Sequence, residues 1–143
     1  MLAALVQRLN RFTLVEFKSP SDALEHGDLD YLFGCAHLFR AQQPEPISNT
    51  DLSLILLAPT ITSALRRDAQ VSHWMLDQEE DGIYRIQGPL FASWLIETDR
   101  RAGPGEPVLT LLATLIRGEP FSKGRVLRCR QTLLQGGKHA LSI

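Results

Sequence analysis

Cysteine, long apolar runs and any excess of charge are all scarce in this chain, and each shortage closes off a class of protein. The only cysteines are Cys35 and Cys129, far apart and with no second thiol or histidine at metal-ligand spacing, so a structural zinc site is not expected. Cys35 falls in an apolar helical pattern and reads as a small core residue, which points to a reduced, cytoplasmic protein. No stretch approaches the roughly 20 apolar residues of a membrane span. The apolar start at Met1 to Val6 is interrupted by Gln7 and Arg8 too early for a signal peptide. A formal net charge of -1 argues against a whole-molecule attraction to polyanions. Walker, dinucleotide and GxSxG patterns are missing, which removes residue-level support for ATPase, dehydrogenase and serine hydrolase chemistry. No acidic residue precedes Glu16.

What is present suits one compact domain, with 44% hydrophobic and 22% charged residues in 143. Charge is unevenly placed. From Arg117 onward six basic residues face a single acid, Glu119, so residues 119–143 read as a basic C-terminal segment appended to an α/β domain over residues 1–118. A solvated tail is the simpler reading of that segment, and a local nucleic-acid patch the sharper one.

Residues 2–9 read as a short helix or lead-in, and Phe12 to Lys18 as a strand. Ser19 to Gly27, with Pro20, reads as a loop. From Asp28, an expected N-cap, the apolar positions Leu29, Leu32, Phe33, Ala36 and Phe39 recur at helical spacing up to Pro44. Leu54 to Leu57, closed by Pro59, has the composition of a strand buried on both faces. Strand, helix and strand in this order predict a right-handed parallel crossover. Thr60 or Thr62 caps a short helix to about Ala69, and His73 to Leu76 forms a brief strand. The acidic run Asp77 to Asp81 reads as a solvated turn. Ile83 to Gln87 and Leu90 to Glu97, flanking Gly88 and Pro89, read as a hairpin with Trp94 in the core. Pro107 opens a further helix, closed by Gly118. Val126 to Leu134 is left open between helix and strand.

The chemistry concentrates in the first strand. Side chains alternate along a strand, so Glu16 and Lys18 emerge on one face while Val15 and Phe17 point the other way. A strand ending in Leu14-Val15-Glu16-Phe17-Lys18, then Ser19 and Pro20, a helix and a buried strand, resembles the second half of the PD-(D/E)XK nuclease signature. More narrowly, it resembles bacterial nuclease-like proteins with this motif. The resemblance covers about Phe12 to Ala58. It implies a mixed sheet flanked by helices: a partial restriction-endonuclease-like core, with an added β-hairpin and C-terminal helix. It also implies a Mg²⁺ or Mn²⁺ cofactor bound by Glu16, catalysis by Glu16 and Lys18, and DNA as the partner. Lys18 would position or polarise the attacking water. The family's Asp-bearing strand has no counterpart in the first 11 residues, so the expectation is an N-terminally incomplete or degenerate member with impaired activity. Tyr31, Cys35 and His37 are the helix residues placed to approach such a site. Glu25, Asp28 and Asp30 read as capping and surface residues before ligands, and His26 as a surface histidine before a phosphate contact.

Two plainer readings stand beside this one. Glu16 and Lys18 can be a same-face ion pair, which when exposed contributes at most about 1 kcal/mol. The domain can equally be a non-catalytic interaction module. In that case the sheet edge left uncovered by the absent strand predicts self-association.

Overall fold

The computed structural model describes residues 5, 7–18, 23–101 and 125–128, the last four and Arg101 by backbone alone. It is an α/β fold in which a six-stranded mixed sheet carries helices on its face. The elements in chain order are β1 (Phe12–Phe17), α1 (Asp28–Gln42), β2 (Leu52–Ala58), α2 (Ser63–Val71), β3 (Met75–Glu80), β4 (Ile83–Gln87), β5 (Ala92–Glu97), α3 (Thr98–Arg101) and β6 (Arg125–Arg128). Their order across the sheet is β3-β4-β5-β2-β1-β6, and β4 alone among these strands runs against the rest.

Seven successive buried residues make β2 the centre. A strand with no polar outer face must be covered on both sides, and its neighbours β1 and β5 both run parallel to it. Alternation divides the burial into two layers. Leu14, Leu54, Leu56, Ala58 and Leu95 face α1 and α2, which contribute Leu29, Leu32, Ala36, Phe39 and Leu65. Val15, Ile55, Leu57, Trp94 and Ile96 face the other way, together with Leu5 and Leu9. Arg85 and Arg8 lie over the Trp94 ring at 4.3 and 5.4 Å, and Arg8 Nη2 donates to Glu79 Oε1 at 3.1 Å. Trp94 is a core aromatic, 1% exposed.

Helix α1 begins where the sequence places it, but the cap is Gly27, at φ 90°, with Asp28 as the first helical residue. Thr62 caps α2 through its side chain, which accepts from Leu65 N–H at 3.3 Å and donates to the Leu24 carbonyl at 2.8 Å. The loop ahead of α1 is thereby tied to the start of α2. No helix among the described residues is long and apolar enough to cross a membrane.

Three expectations need correction. The acidic run is not a turn: Asp77 to Glu80 belong to β3, an edge strand whose exposed acids discourage further pairing, and only Asp81 and Gly82 turn the chain into β4. The second hairpin strand begins at Ala92 rather than Leu90, which lies 69% exposed in the connection. Cys35 is buried in the core but is disulfide-bonded rather than a free thiol, so a reduced, cytoplasmic setting no longer follows from it. The chain's other cysteine, Cys129, lies outside the described residues, as do the Ser19 to Asp22 turn and the helix expected after Pro107.

The free edge of β1, expected to be bare, pairs in parallel with β6, from Phe12 opposite Arg125 to Val15 opposite Arg128. Among the described residues, the sheet ends at β3 on one side and β6 on the other.

The β4–β5 connection depends on one glycine. Gly88 sits at φ 119°, and a Cβ there would lie 2.6 Å from Trp74 Cδ1. Gly88→Ala should therefore destabilise the domain by about 1–3 kcal/mol, combining backbone strain with overpacking. A lower urea midpoint at unchanged slope is the expected reading, and a midpoint equal to wild type would show that the Trp74 contact yields freely.

Candidate functional site

Glu16 is the fifth residue of β1 and lies opposite Leu56, on the face shared with Leu14 and the helices. Lys18 follows the last strand residue, and its N–H continues the ladder by donating to the Leu57 carbonyl at 2.7 Å. The alternation therefore persists, and both side chains project from the same face at the C-terminal end of β1. Neither is exposed: Glu16 is 5% and Lys18 9% accessible. The contribution of at most about 1 kcal/mol, which holds for an exposed pair, therefore does not apply to them.

The buried ammonium has a partner from the helix. Lys18 Nζ lies 3.1 Å from Asp28 Oδ1, in the first turn of α1. The other oxygen, Asp28 Oδ2, accepts the Glu25 N–H at 2.6 Å. Asp28 is thus a structural anchor between strand, loop and helix start, where its negative charge also suits the helix dipole. Among the described residues, no group of three or more histidine, cysteine, aspartate or glutamate side chains converges as a ready metal cage.

A second buried carboxylate, not singled out in the sequence, stands two strands away. Glu97 ends β5 opposite Ala58 and is 5% exposed. It has the parity of Leu95, so it projects from the same face as Glu16 and Lys18. Two inter-strand spacings separate its backbone from that of Lys18, roughly 10 Å, with only the small Ala58 between. Glu97 Oε2 accepts from Arg100 Nε at 3.1 Å, and Arg100 Nη1 lies 3.3 Å from Asp81 Oδ1. Burial, followed by the neighbouring Glu97 carboxylate, pushes the Tyr84 hydroxyl up in pKa. The sequence did hold a signal for Glu97: like Glu16, it is an acid at the end of an otherwise apolar buried strand.

Of the other sequence candidates, Cys35 is committed to the core and its disulfide. His37 packs edge-to-face on Phe91, with ring centroids 5.0 Å apart, at the opposite end of β5 from Glu97. Tyr31 is 41% exposed on α1. His26 does not stand alone: its Nδ1 lies 2.6 Å from Asp68 Oδ1 on α2, while Asp68 Oδ2 accepts the Gly27 N–H at 2.8 Å. Asp68 thus joins α2 to the cap of α1.

The arrangement puts buried charges where the parallel strands β1 and β5 end, the position at which open α/β sheets present ligand sites. Protein-family models, curated proteins and solved structures were all compared with the chain, and none matches it.

Two measurements test the electrostatics. In a double-mutant cycle, Lys18→Met and Asp28→Asn should couple by about 0.5–3 kcal/mol, because each single change strands a largely buried charge. Additive effects would mean that the pair is incidental. For His26 and Asp68 the sign follows from the two shifts. The Asp68 carboxylate raises the His26 pKa above its ordinary 6.5, so that stabilisation is complete below 6.5 and is lost as pH rises through the folded value. The Gly27 N–H and then His26 hold Asp68 below its ordinary 3.8, so its contribution is present above 3.8 and is lost as pH falls through the folded value. The stability difference between wild type and Asp68→Asn should peak between those limits and shrink towards alkaline pH, as read from urea midpoints across a pH series. A pH-independent difference would remove the histidine from the account.

Proposed function

We propose that this chain is a nuclease-like domain of the PD-(D/E)XK kind, acting on DNA phosphodiesters with Mg²⁺ or Mn²⁺, with Glu16 as metal ligand and Lys18 as the charge-stabilising residue. One observation carries the reading. A carboxylate and an ammonium are both buried, and both project from one face where a central parallel strand ends. This matches the second half of the signature that the sequence resembles.

The donor set fits a hard cation only in part. Glu16 would supply one carboxylate; Asp28 is held by Lys18 and the Glu25 N–H, and Glu97 by Arg100. Mg²⁺ accepts one or two carboxylates and keeps several waters, so a single protein ligand completed by water and phosphate is chemically admissible. When bound, such an ion supplies Lewis-acid stabilisation of charge on the phosphodiester. The Lys18 ammonium, carrying three donors, orients a water or phosphate oxygen and offsets the developing negative charge. Asp28, 3.1 Å away, fixes the direction of that ammonium. With one carboxylate in place of the family's pair, the expected activity is weak.

The pairing of Lys18 with Asp28 at 3.1 Å favours a second reading, in which the same residues lock strand to helix and the domain serves as a non-catalytic interaction module. Thermal melts with and without Mn²⁺ separate the two. At about 100 times its dissociation constant a ligand adds roughly 2.7 kcal/mol, a shift of several degrees. A metal-dependent rise that disappears in Glu16→Ala, with Mn²⁺-dependent nicking of supercoiled DNA that Lys18→Ala abolishes, is the result expected of the nuclease reading. A cooperative melt indifferent to Mn²⁺ would overturn it in favour of the module.

A further inference from the structure

Cys35, in the middle of α1 and 1% exposed, is disulfide-bonded. The sequence holds one other cysteine, Cys129, which follows directly on Arg128, the last residue of β6. The sheet register agrees with a bond between the two. Leu127 stands opposite Leu14, and Leu14 belongs to the same buried cluster as Cys35. The end of β6 is therefore carried towards the layer in which Cys35 lies.

The strand tied in this way has little else to hold it. β6 is four residues long and, among the described residues, pairs with β1 alone. A short edge ladder is the part of a sheet that opens at least cost, because few buried contacts are lost with it. The rest of the sheet does not depend on β6: β1 is paired along its whole length with β2, from Phe12 opposite Leu52 to Phe17 opposite Leu57. Bringing the end of β6 back to α1 also closes a long loop of chain, whose entropic cost a covalent bond offsets.

We propose that Cys35 and Cys129 form a redox latch. Oxidised, it holds β6 on β1; reduced by a dithiol, it releases β6 and bares the edge of the strand that carries Glu16. The ladder ends at Val15 opposite Arg128, one residue short of Glu16, so the latch closes beside the candidate site. One thiolate of the dithiol forms a mixed disulfide with Cys129 as the bond to Cys35 breaks, and the second thiol then displaces Cys129. Two electrons and two protons pass to the cysteines, and the reductant leaves as a disulfide. The latch does not depend on the nuclease reading, since it uses neither Glu16 nor Lys18.

The test is brief trypsin digestion of the full chain, equilibrated with oxidised glutathione or with dithiothreitol, with cleavage after each arginine followed by mass spectrometry. A peptide cross-linked through Cys35 and Cys129 is expected in the oxidised sample. Reduction should speed cleavage after Arg125 and Arg128 by about tenfold or more and leave cleavage after Arg85, within β4, unchanged. Cys129→Ser should keep a cooperative urea transition and be cut at the reduced rate with or without dithiothreitol. Free thiols at both positions in the oxidised sample, a bond between two chains instead of within one, or equal cleavage after Arg125 and Arg128 in the two states would each overturn the proposal. Equal acceleration at Arg85, or an unfolded Cys129→Ser, would overturn it too, because the bond would then hold the whole fold and not one strand.

Discussion

Burial of β2 on both faces is the constraint from which the rest of this structure follows. Seven residues without a polar side cannot lie at an edge or on a one-sided sheet, so the chain must supply a layer on each face and a strand on each flank. Helix α1 is long enough to return the chain from β1 to a parallel β2, and its Leu29, Leu32, Ala36 and Phe39 close one face. That crossover brings the C-terminal ends of β1, β2 and β5 to one end of the sheet. Glu16, Lys18 and Glu97 stand together there because β2 fixes the register of both its neighbours.

Charge is placed along the same framework. Three links join the start of α1 to the rest of the molecule: Lys18 to Asp28 from β1, the Leu24 carbonyl to Thr62, and Gly27 to Asp68 from α2. Each satisfies a backbone or charged group that burial would otherwise penalise. The helix start is therefore fixed from two directions.

Much of this was legible because the periodicities are clean. The alternation of β1, the 3.6-residue stripe of α1 and the unbroken apolar run of β2 each admit one structure, and together they require the crossover. What escaped has a physical reason in each case. The residues of β3 carry no apolar face, being mostly exposed at the sheet edge, so composition pointed to a turn; the Asp81-Gly82 pair, a strong hairpin signal, was absorbed into the acidic run. Gly27 rather than Asp28 caps α1 because the carboxylate is drawn to Lys18 and Glu25. The ion pair itself joins residues ten apart across a loop, a distance that no periodicity encodes. Glu97 was visible as an acid ending a buried strand, but its alignment with Lys18 depends on β5 being placed next to β2, which sequence order alone does not give.

The depth of Glu16 and Lys18 bears on what they are for. An exposed pair at a strand end contributes little to stability and is readily replaced. A buried one is costly: each ion loses several kcal/mol of hydration, and mutual attraction recovers it only with good geometry and additional hydrogen bonds. Apolar residues at these two positions would continue the layer formed by Leu14, Leu56 and the helices at no such expense. Asp28 compensates Lys18, and that compensation explains how the ammonium is tolerated, not why it is there. The Glu16 carboxylate lies on the same buried face and carries the same cost, and the proposed nuclease function gives it a use.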